Sequence, residues 1–272
     1  MASPTLSRVV RFHLSPQHEQ AVDGVNTFAG QPMTNGLSAY YEVESWCHAT
    51  PDPDTGFVES IYLIDKAVRH HVVPLLSAAF AAQAPTPPQT LVPAMFQVVD
   101  SSIPSTLMRI SWRLSPYHEL TMDRSDMQHV LVKRRYTFSA AHRLRNPELD
   151  DKGNEALYGK CAWPSGHGHN YELDVSVATP IAPDANGMSI AELDEIVHRH
   201  VIDLFDHRNL DQDIEAFKTT SSTLENITVE CHRLLMNHLH DERARMVSVR
   251  VWETDRTSCE YPPAALIAED SA

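Results

Sequence analysis

The stretch Cys161-Ala162-Trp163-Pro164-Ser165-Gly166-His167-Gly168-His169-Asn170-Tyr171 places one thiol shortly before a His-x-His pair. Residues i and i+2 of a β-strand share a face, so a strand that starts at this pair points both imidazoles the same way. Both can then reach one metal ion. A third His would complete a three-His site with one open coordination position, which is typical of catalytic rather than structural zinc.

Around this stretch, hydrophobic periodicity predicts a hairpin, two helices and two further strands. The first helix has a capping-box signature, with Ser189 at its start and Glu192 three residues later. In chain order the predicted elements are a strand at 130–138, a long loop at 145–160, a strand at 171–178, helices at 189–205 and 223–239, and strands at 247–252 and 259–262.

The first half of the chain shows the same order of patterns. It predicts strands at 9–14 and 40–46, a helix at 60–82, a weaker helical or irregular segment at 89–99, a strand at 107–114, and a connection at 115–130 with room for a short strand. We therefore predict a β-β-α-α-β-β unit written twice, with antiparallel sheets, helices on one face and assembly into a barrel.

Sequence matches between the halves favour this duplication. Their common order, with offsets of about 124 to 130 residues, predicts a domain at 1–125 and another at 126–272. The matches are Phe12-x-x-Ser15-x-x-His18 with Tyr136-x-x-Ser139-x-x-His142, Tyr41-Glu42-Val43-Glu44 with Tyr171-Glu172-Leu173-Asp174, and the segment 66–72 with 195–201.

The two halves differ at the positions that carry chemistry. Leu37 and Ala39 stand opposite His167 and His169. Further along, Ser77-Ala78 stands opposite Asp206-His207, and Val92 roughly opposite Glu225. We expect the first half to be structural and the second to be active. The alternative, that the first half binds another molecule through unfamiliar residues, stays open.

The composition narrows the class of protein. The 272 residues suggest one large or two ordinary domains, and a formal net charge of −14 argues against a nucleic-acid partner. Four cysteines do not suggest a disulfide scaffold, which favours a reducing cytoplasm. Neither a basic-then-apolar leader nor an apolar run of about 18 residues is found, so no membrane partner is expected.

The second half also supplies partners for the His-x-His pair. His142 ends the preceding strand and is the natural third ligand. Cys161 lies in a polar loop beside the expected dication, where positive charge favours the thiolate. The competing interpretation of Cys161 is a small buried side chain.

Three further groups have a structural and a chemical interpretation. In Asp206-His207 an acid can orient a His as a general base, or the pair can simply end a helix. Thr223 and Glu225 suit an N-cap and the helix dipole as well as a substrate pocket. Glu253 can accept two parallel hydrogen bonds from a guanidine-like edge of a heterocycle.

Five motifs together resemble one known family, the 6-pyruvoyl-tetrahydropterin synthase / 6-carboxy-tetrahydropterin synthase family of the tunnelling fold. The resemblance spans about 130–262 and covers the first half in fold only. The motifs, in order, are Ser139-Ala140-Ala141-His142-Arg143-Leu144, Cys161-x5-His167-Gly168-His169-Asn170-Tyr171, Asp206-His207-Arg208-Asn209-Leu210-Asp211, Thr223-Leu224-Glu225-Asn226 and Glu253-Thr254-Asp255.

The resemblance implies a role for each residue. Zinc would be bound by His142, His167 and His169, and would hold and acidify the substrate's side-chain hydroxyls. Cys161 would abstract a proton, and Asp206 with His207 would form a proton relay. The pterin would be gripped by Glu253 in a pocket lined by Thr223 and Glu225. The implied substrate is 7,8-dihydroneopterin triphosphate, which loses triphosphate.

The spacing Cys-x5-His-Gly-His resembles the pyruvoyl-forming members, whereas many carboxy-forming members of the queuosine/deazapurine pathway have Cys-x3-His-Gly-His. We therefore favour a pyruvoyl-forming lyase. The alternatives are a carboxy-forming synthase, a zinc- and pterin-binding protein without turnover, and an aldolase on dihydroneopterin, which would not need three His ligands.

The family's ring-shaped oligomers imply a homo-oligomer. Alternating halves would place Ser77-Ala78 or Val92 opposite each active half, so we favour a homotrimer, or a dimer of trimers, in which second halves contact each other. A basic cluster can offset the acidic net charge near a triphosphate. Its members are Lys133, Arg134, Arg135, Arg143, Arg145 and Lys160.

Overall fold

The structure, a computed structural model, describes residues 3–14, 36–82, 86–181 and 187–263. Contacts divide the chain into a first unit, residues 1–132 and 179–185, and a second unit, residues 133–178 and 186–272. Ser15 and His18 of the predicted repeat lie outside the described residues. No helix in the described ranges is long and apolar enough to cross a membrane.

The first unit contains a meander of four antiparallel strands in chain order. Alternate residues of its first strand are buried, including Val10, Phe12 and Leu14, as a half-covered strand requires. The strands are β1 (Thr5–Leu14), β2 (Ala39–His48), β3 (Thr106–Ser115) and β4 (His118–Asp123), and the helices between β2 and β3 are α1 (Ile61–Ala67), α2 (Val73–Ala81) and α3 (Val92–Asp100).

The second unit repeats this order of elements. The strand β5 (Asp126–His142) enters it at Lys133, and the strands follow the order β5-β6-β8-β9. The other strands are β6 (His167–Pro180), the two-residue β7 (Arg208–Asn209), β8 (Arg245–Thr254) and β9 (Thr257–Tyr261), and the helices are α4 (Asp151–Tyr158), α5 (Ile190–Val197), α6 (Asp203–Phe205), α7 (Leu210–Asp213) and α8 (Leu224–Met236).

A five-residue π-helical turn interrupts the main helix of each unit, at Val68–Val72 and at His198–Ile202. The buried stripes recur every fourth residue, at 64, 68, 72 and 76 in one unit and at 193, 197, 201 and 205 in the other. An α-helix turns by about 100° per residue, so such a stripe drifts by about 40° per repeat. A wider i→i+5 turn offsets that drift and keeps the stripe on the sheet.

Most predicted elements are confirmed, including the Ser189 capping box and the N-cap at Thr223. The loop predicted at 145–160 is wrong in part, because it contains α4. Asp150 caps this helix by accepting from the backbone of Gly153. The buried side chain of Asn154 donates to the carbonyl groups of Asn146 and Leu149, which supports the helix with polar rather than apolar contacts.

The predicted fold class is therefore confirmed at the level of antiparallel strands with helices, apart from the short parallel pairing of β7 with β5. The tandem origin of the units, their separate roles and assembly into a barrel stay predictions.

Candidate active site

Three imidazoles converge at the ends of two neighbouring strands. His142 is the last residue of β5, and His167 and His169 occupy alternate positions at the start of β6. One ligand atom from each lies within 4.8 Å of the other two. His142 is fully buried and the other two are half-buried. The predicted His-x-His geometry is thus present, and β5 supplies the third imidazole.

Hydrogen bonding fixes which nitrogen of His142 is available to a metal. Its Nδ1–H donates to the carbonyl oxygen of Ser222 at 2.7 Å, which leaves a lone pair on Nε2. That Nε2 lies 3.1 Å from Nε2 of His167. Two nitrogens bound to one tetrahedral zinc at about 2.0–2.1 Å each are roughly 3.4 Å apart, so the observed separation suits two ligands of one ion.

A second layer of residues holds His142 in this orientation. One oxygen of the Asp211 carboxylate accepts from the Ser222 hydroxyl at 2.6 Å, and the other accepts from the backbone N–H of Arg143 at 2.5 Å. Asp211 therefore braces both the chain that follows His142 and the carbonyl that binds its Nδ1. Outer-layer partners of this kind set the tautomer and basicity of a ligating His. Neither Asp211 nor Ser222 was assigned a role from the sequence.

The electrostatics keep the cluster in a form that can bind metal. Burial lowers the pKa of His167, and the neighbouring His142 and His169 lower it further. Burial also lowers the pKa of His169, against the opposing charge of Glu253. The Glu253 carboxylate lies 3.5 Å from Nε2 of His169 and 3.7 Å from Nε2 of His142. A lowered pKa favours the uncharged form of His167 and His169, whose lone pairs can bind a metal.

An unsatisfied nitrogen supports a metal at this cluster. Among the described residues, Nε2 of His169 is buried without a hydrogen-bond partner. A buried polar atom without a partner is costly, and a cation that accepts the imidazole lone pair removes that cost. Three imidazoles with a carboxylate beside them are a donor set that zinc accepts.

Cys161 lies on a short 3₁₀ turn, Gly159–Ala162, that is fastened to the end of β5. The backbone N–H of Leu144 donates to the carbonyl oxygen of Cys161 at 2.9 Å. Gly166 adopts a φ of 65°, and a Cβ there would lie 2.9 Å from the carbonyl oxygen of His142. Glycine is therefore required where the loop crosses the backbone of His142. The thiol is half-buried.

Tyr171 lies beside the His cluster, although no chemical role was assigned to it from the sequence. It follows His169 by two positions on the same face of β6, is fully buried, and packs edge-on against His142 and His169. Burial raises the pKa of its hydroxyl, and nearby Glu253, Asp211 and Cys161 raise it further. Among the described residues this hydroxyl has no hydrogen-bond partner. The two-residue spacing between His169 and Tyr171 places both on one face of the strand, and this spacing could have identified Tyr171 from the sequence.

Asp206 and His207 form a hydrogen-bonded pair beside β5. Asp206 accepts from the backbone N–H of Ser139 at 2.7 Å and from Nδ1–H of His207 at 2.8 Å. These bonds, the Ser139 backbone bond first, lower the pKa of Asp206. His207 has a φ of 57°, and its own N–H donates to the carbonyl oxygen of Ser139 at 2.6 Å. Its Nε2 is left as an acceptor.

The His207 side chain is 82% exposed and lines an open hollow of about 500 Å³ that His169 and Gly168 also line. The hollow brings the Asp206–His207 pair and one imidazole of the His cluster, that of His169, to a common space. The arrangement suits a proton donor or acceptor that works on a molecule lying between them.

The predicted substrate residues fall in two places. Glu253 joins the His cluster, as described above. The Thr223 hydroxyl accepts from the backbone N–H of Asn226 at 3.4 Å as the N-cap of α8, and Glu225 is exposed in the first turn. No hydrogen bond or ion pair within the described chain joins Thr223 or Glu225 to the three imidazoles.

Comparison with known proteins places this site in a family. A family model described as 6-pyruvoyl tetrahydropterin synthase matches residues 131–264. The human 6-pyruvoyl tetrahydrobiopterin synthase is 39% identical over 132 residues, covering 48% of this chain and 89% of the human protein. The chain belongs to the 6-pyruvoyl tetrahydropterin synthase family. The resemblance drawn from the five motifs is confirmed.

Relatives within the family carry more than one name. The 6-carboxy-5,6,7,8-tetrahydropterin synthase of Haemophilus influenzae is 27% identical over 148 residues, covering 48% of this chain and 96% of that protein. The solved structure of Caenorhabditis elegans 6-pyruvoyl tetrahydropterin synthase is 36% identical, covers 49% of this chain and 94% of its own, and has a TM-score of 0.46. The region of this chain that the family model matches, residues 131–264, contains all three imidazoles of the His cluster.

Proposed function

We propose that the second unit is a zinc-dependent lyase of the 6-pyruvoyl-tetrahydropterin synthase type, which acts on 7,8-dihydroneopterin triphosphate. The observation that carries the proposal is the convergence of His142, His167 and His169, with Cys161 on the loop that crosses them. Family membership supports the pterin substrate. The reaction eliminates triphosphate and redistributes hydrogens within the pterin and its side chain, so it needs no external oxidant.

In this proposal the three imidazoles hold zinc, which when bound supplies Lewis acidity towards the oxygens of the substrate side chain. Glu253 lies against two of the imidazoles and has a carboxylate able to accept two hydrogen bonds from the amino and N–H edge of a pterin. The pterin edge would therefore lie against Glu253, with the substrate side chain next to the His cluster. Thr223 and Glu225 stay proposed as pocket residues.

The protein's own groups account for the proton transfers. Cys161 removes a carbon-bound proton from the substrate side chain. His207 accepts or returns a proton through Nε2, because Nδ1 is engaged by the Asp206 carboxylate. Tyr171 has a protonated, unsatisfied hydroxyl that can donate to a substrate oxygen.

A carboxy-forming synthase on the same substrate is the second candidate, and the Haemophilus influenzae relative favours keeping it. The pyruvoyl-forming activity is favoured by the 39% identity with the human 6-pyruvoyl tetrahydrobiopterin synthase and by the Cys-x5-His spacing. The cytoplasmic location and the assembly into a homotrimer, or a dimer of trimers, stay predictions. Light scattering of the purified chain measures the mass of the oligomer and so tests the assembly.

The test is incubation of the zinc-loaded chain with 7,8-dihydroneopterin triphosphate, with the product identified by mass spectrometry. We expect 6-pyruvoyl-tetrahydropterin and one triphosphate per turnover. A 6-carboxy product would select the second candidate. Full zinc loading without triphosphate release would contradict both and favour a pterin-binding protein.

A further inference from the structure

A second cavity of the second unit, of about 310 Å³, is lined by cations and hydroxyl groups. Arg143, Arg145 and Lys218 contribute three positive charges, whereas Asp211 contributes one carboxylate whose two oxygens already accept from Ser222 and the Arg143 backbone. Hydroxyls on the wall include Ser165, Thr219, Thr220 and Ser221. We refer to this cavity as the basic cleft.

The three cations of the basic cleft are differently constrained. Arg143 is held in place, since its Nε donates to the carbonyl oxygen of Ala162 at 2.7 Å and its Nη2 to Asp151 at 3.1 Å. Lys218 forms an exposed pair with Glu215, and such pairs contribute little. Arg145 is exposed, and no hydrogen bond or ion pair engages its guanidinium in the described part of the chain. Two of the three cations can therefore turn towards a ligand.

The wall of the basic cleft also has an unsatisfied donor. The Ser221 hydroxyl oxygen is buried without a hydrogen-bond partner among the described residues. A buried hydroxyl without a partner is costly, and a ligand with many acceptor oxygens would remove that cost. Cations and hydroxyls, with the only carboxylate already engaged, match a phosphate ligand.

The basic cleft is adjacent to the His cluster. Arg143 follows His142 in the chain, and Ser221 precedes Ser222, whose carbonyl accepts from His142. Gly166, also on the cleft wall, lies against the His142 carbonyl. Asn209 lines both the basic cleft and the hollow that contains His169 and His207. A molecule bound at the His cluster can thus extend into the cleft.

We propose that the basic cleft binds the triphosphate tail of the substrate, and this inference rests on the proposed function. The tail begins on the carbon next to the hydroxyl-bearing carbons, so it must leave the metal site by an adjacent opening. Three cations there offset the repulsion that a chain of net charge −14 would exert on a polyanion. The same cleft would retain the released triphosphate.

The test uses inorganic tripolyphosphate as the probe and the zinc-loaded full chain. Calorimetric titration compares wild type with the double variant Arg145→Gln/Lys218→Gln. Both residues are exposed, so the variant is expected to fold. The matched control Lys66→Gln/Arg199→Gln also removes two exposed charges, one from each unit. Zinc content is measured after each titration, because tripolyphosphate itself binds divalent metals.

We expect the dissociation constant for tripolyphosphate to rise about tenfold or more in the cleft variant, which corresponds to about 1.4 kcal/mol, and to stay within about twofold in the control. The KM for the pterin triphosphate should rise by a similar factor with kcat little changed. Equal tripolyphosphate affinity in wild type and cleft variant would overturn the inference. Cleft-dependent binding in a chain that does not turn over would keep the subsite and refute the proposed function.

Discussion

The two units share a framework, but among the described residues three imidazoles converge only in the second. In the first, the Arg8 guanidinium donates two hydrogen bonds, at 2.8–2.9 Å, to Asp65. In the second, Arg134 donates two, at 2.9 Å, to Asp194. Each pair joins the first strand to the main helix. Together with the π-helical turn at matching positions, these pairs favour the predicted duplication.

Two of the positions that differ lie where the second strand of each hairpin begins. Leu37, opposite His167, is fully exposed, and Ala39 stands opposite His169. Among residues 3–14, 36–82 and 86–132, no three His, Cys, Asp or Glu side chains converge as a metal site does. The framework therefore does not depend on the polar constellation.

Removing one metal ligand should have the largest effect. His167→Ala leaves two imidazoles, so zinc affinity should fall more than about 100-fold, beyond what loss of an outer-layer partner costs, and turnover should cease. Atomic absorption after dialysis measures the zinc. The control is His71→Ala, an exposed His of the first unit. Equal zinc loss in both variants would contradict the assignment of the site to the second unit.

Removing the proposed base should lower the rate of turnover without changing zinc binding. For Cys161→Ala we expect kcat to fall about 10²–10⁴-fold, the usual contribution of a positioned base, with zinc content unchanged. Cys259, also half-buried, provides the control Cys259→Ala. Turnover at the wild-type rate in the Cys161 variant would refute its role.

The framework ion pairs should behave alike in the two units. Arg8→Met and Arg134→Met should each lower the free energy of unfolding by about 1–2 kcal/mol, because both pairs are bidentate and partly buried. The exposed Arg199–Glu195 pair offers the control Arg199→Met, for which we expect less than about 0.5 kcal/mol. Thermal melting measures all three. A loss of unfolding free energy in only one of the two variants, Arg8→Met or Arg134→Met, would contradict the equivalence of the two ion pairs.

The helix caps should show a small difference that depends on pH. Ser189 is part of a capping box, whereas Ser60 at the start of α1 makes no side-chain cap bond. Ser189→Ala should cost about 1 kcal/mol and Ser60→Ala close to none.

The backbone N–H and hydroxyl of Ser189, followed by Arg243, lower the pKa of Glu192 to about 2. A carboxyl group whose pKa is lower in the folded than in the unfolded chain stabilises the fold at pH values above its unfolded-state pKa. This stabilisation is lost as the pH falls through its folded-state pKa. The difference between the Ser189 variant and wild type should therefore shrink between about pH 4.5 and pH 2. A difference that stays constant over this range would refute the reciprocal cap.

Local patterns predicted what depends on nearby residues. Alternation predicted the hairpins, the spacing Ser189–Glu192 predicted the cap, and the order of motifs predicted the His cluster. Helical periodicity predicted long helices but not their π-helical turns. A regular α-helical stripe would also bury Leu204 and Phe80, whose side chains are 44% and 45% exposed.

Features that depend on distant contacts could not be predicted. The Ser222 carbonyl reaches His142 from 80 positions away, and nothing in either segment signals the other. The helix α4 lacks an apolar stripe, since its only buried residue is Asn154. The basic cleft needs the fold to bring Arg145 next to Lys218.

Anomalous diffraction at the zinc edge from crystals of the zinc-loaded chain tests the central claim most directly, namely that only the second unit carries the reactive site. We predict about one zinc per chain, bound by His142, His167 and His169. A zinc bound by residues of the first unit, or a fully loaded chain with no zinc at these three imidazoles, would contradict it.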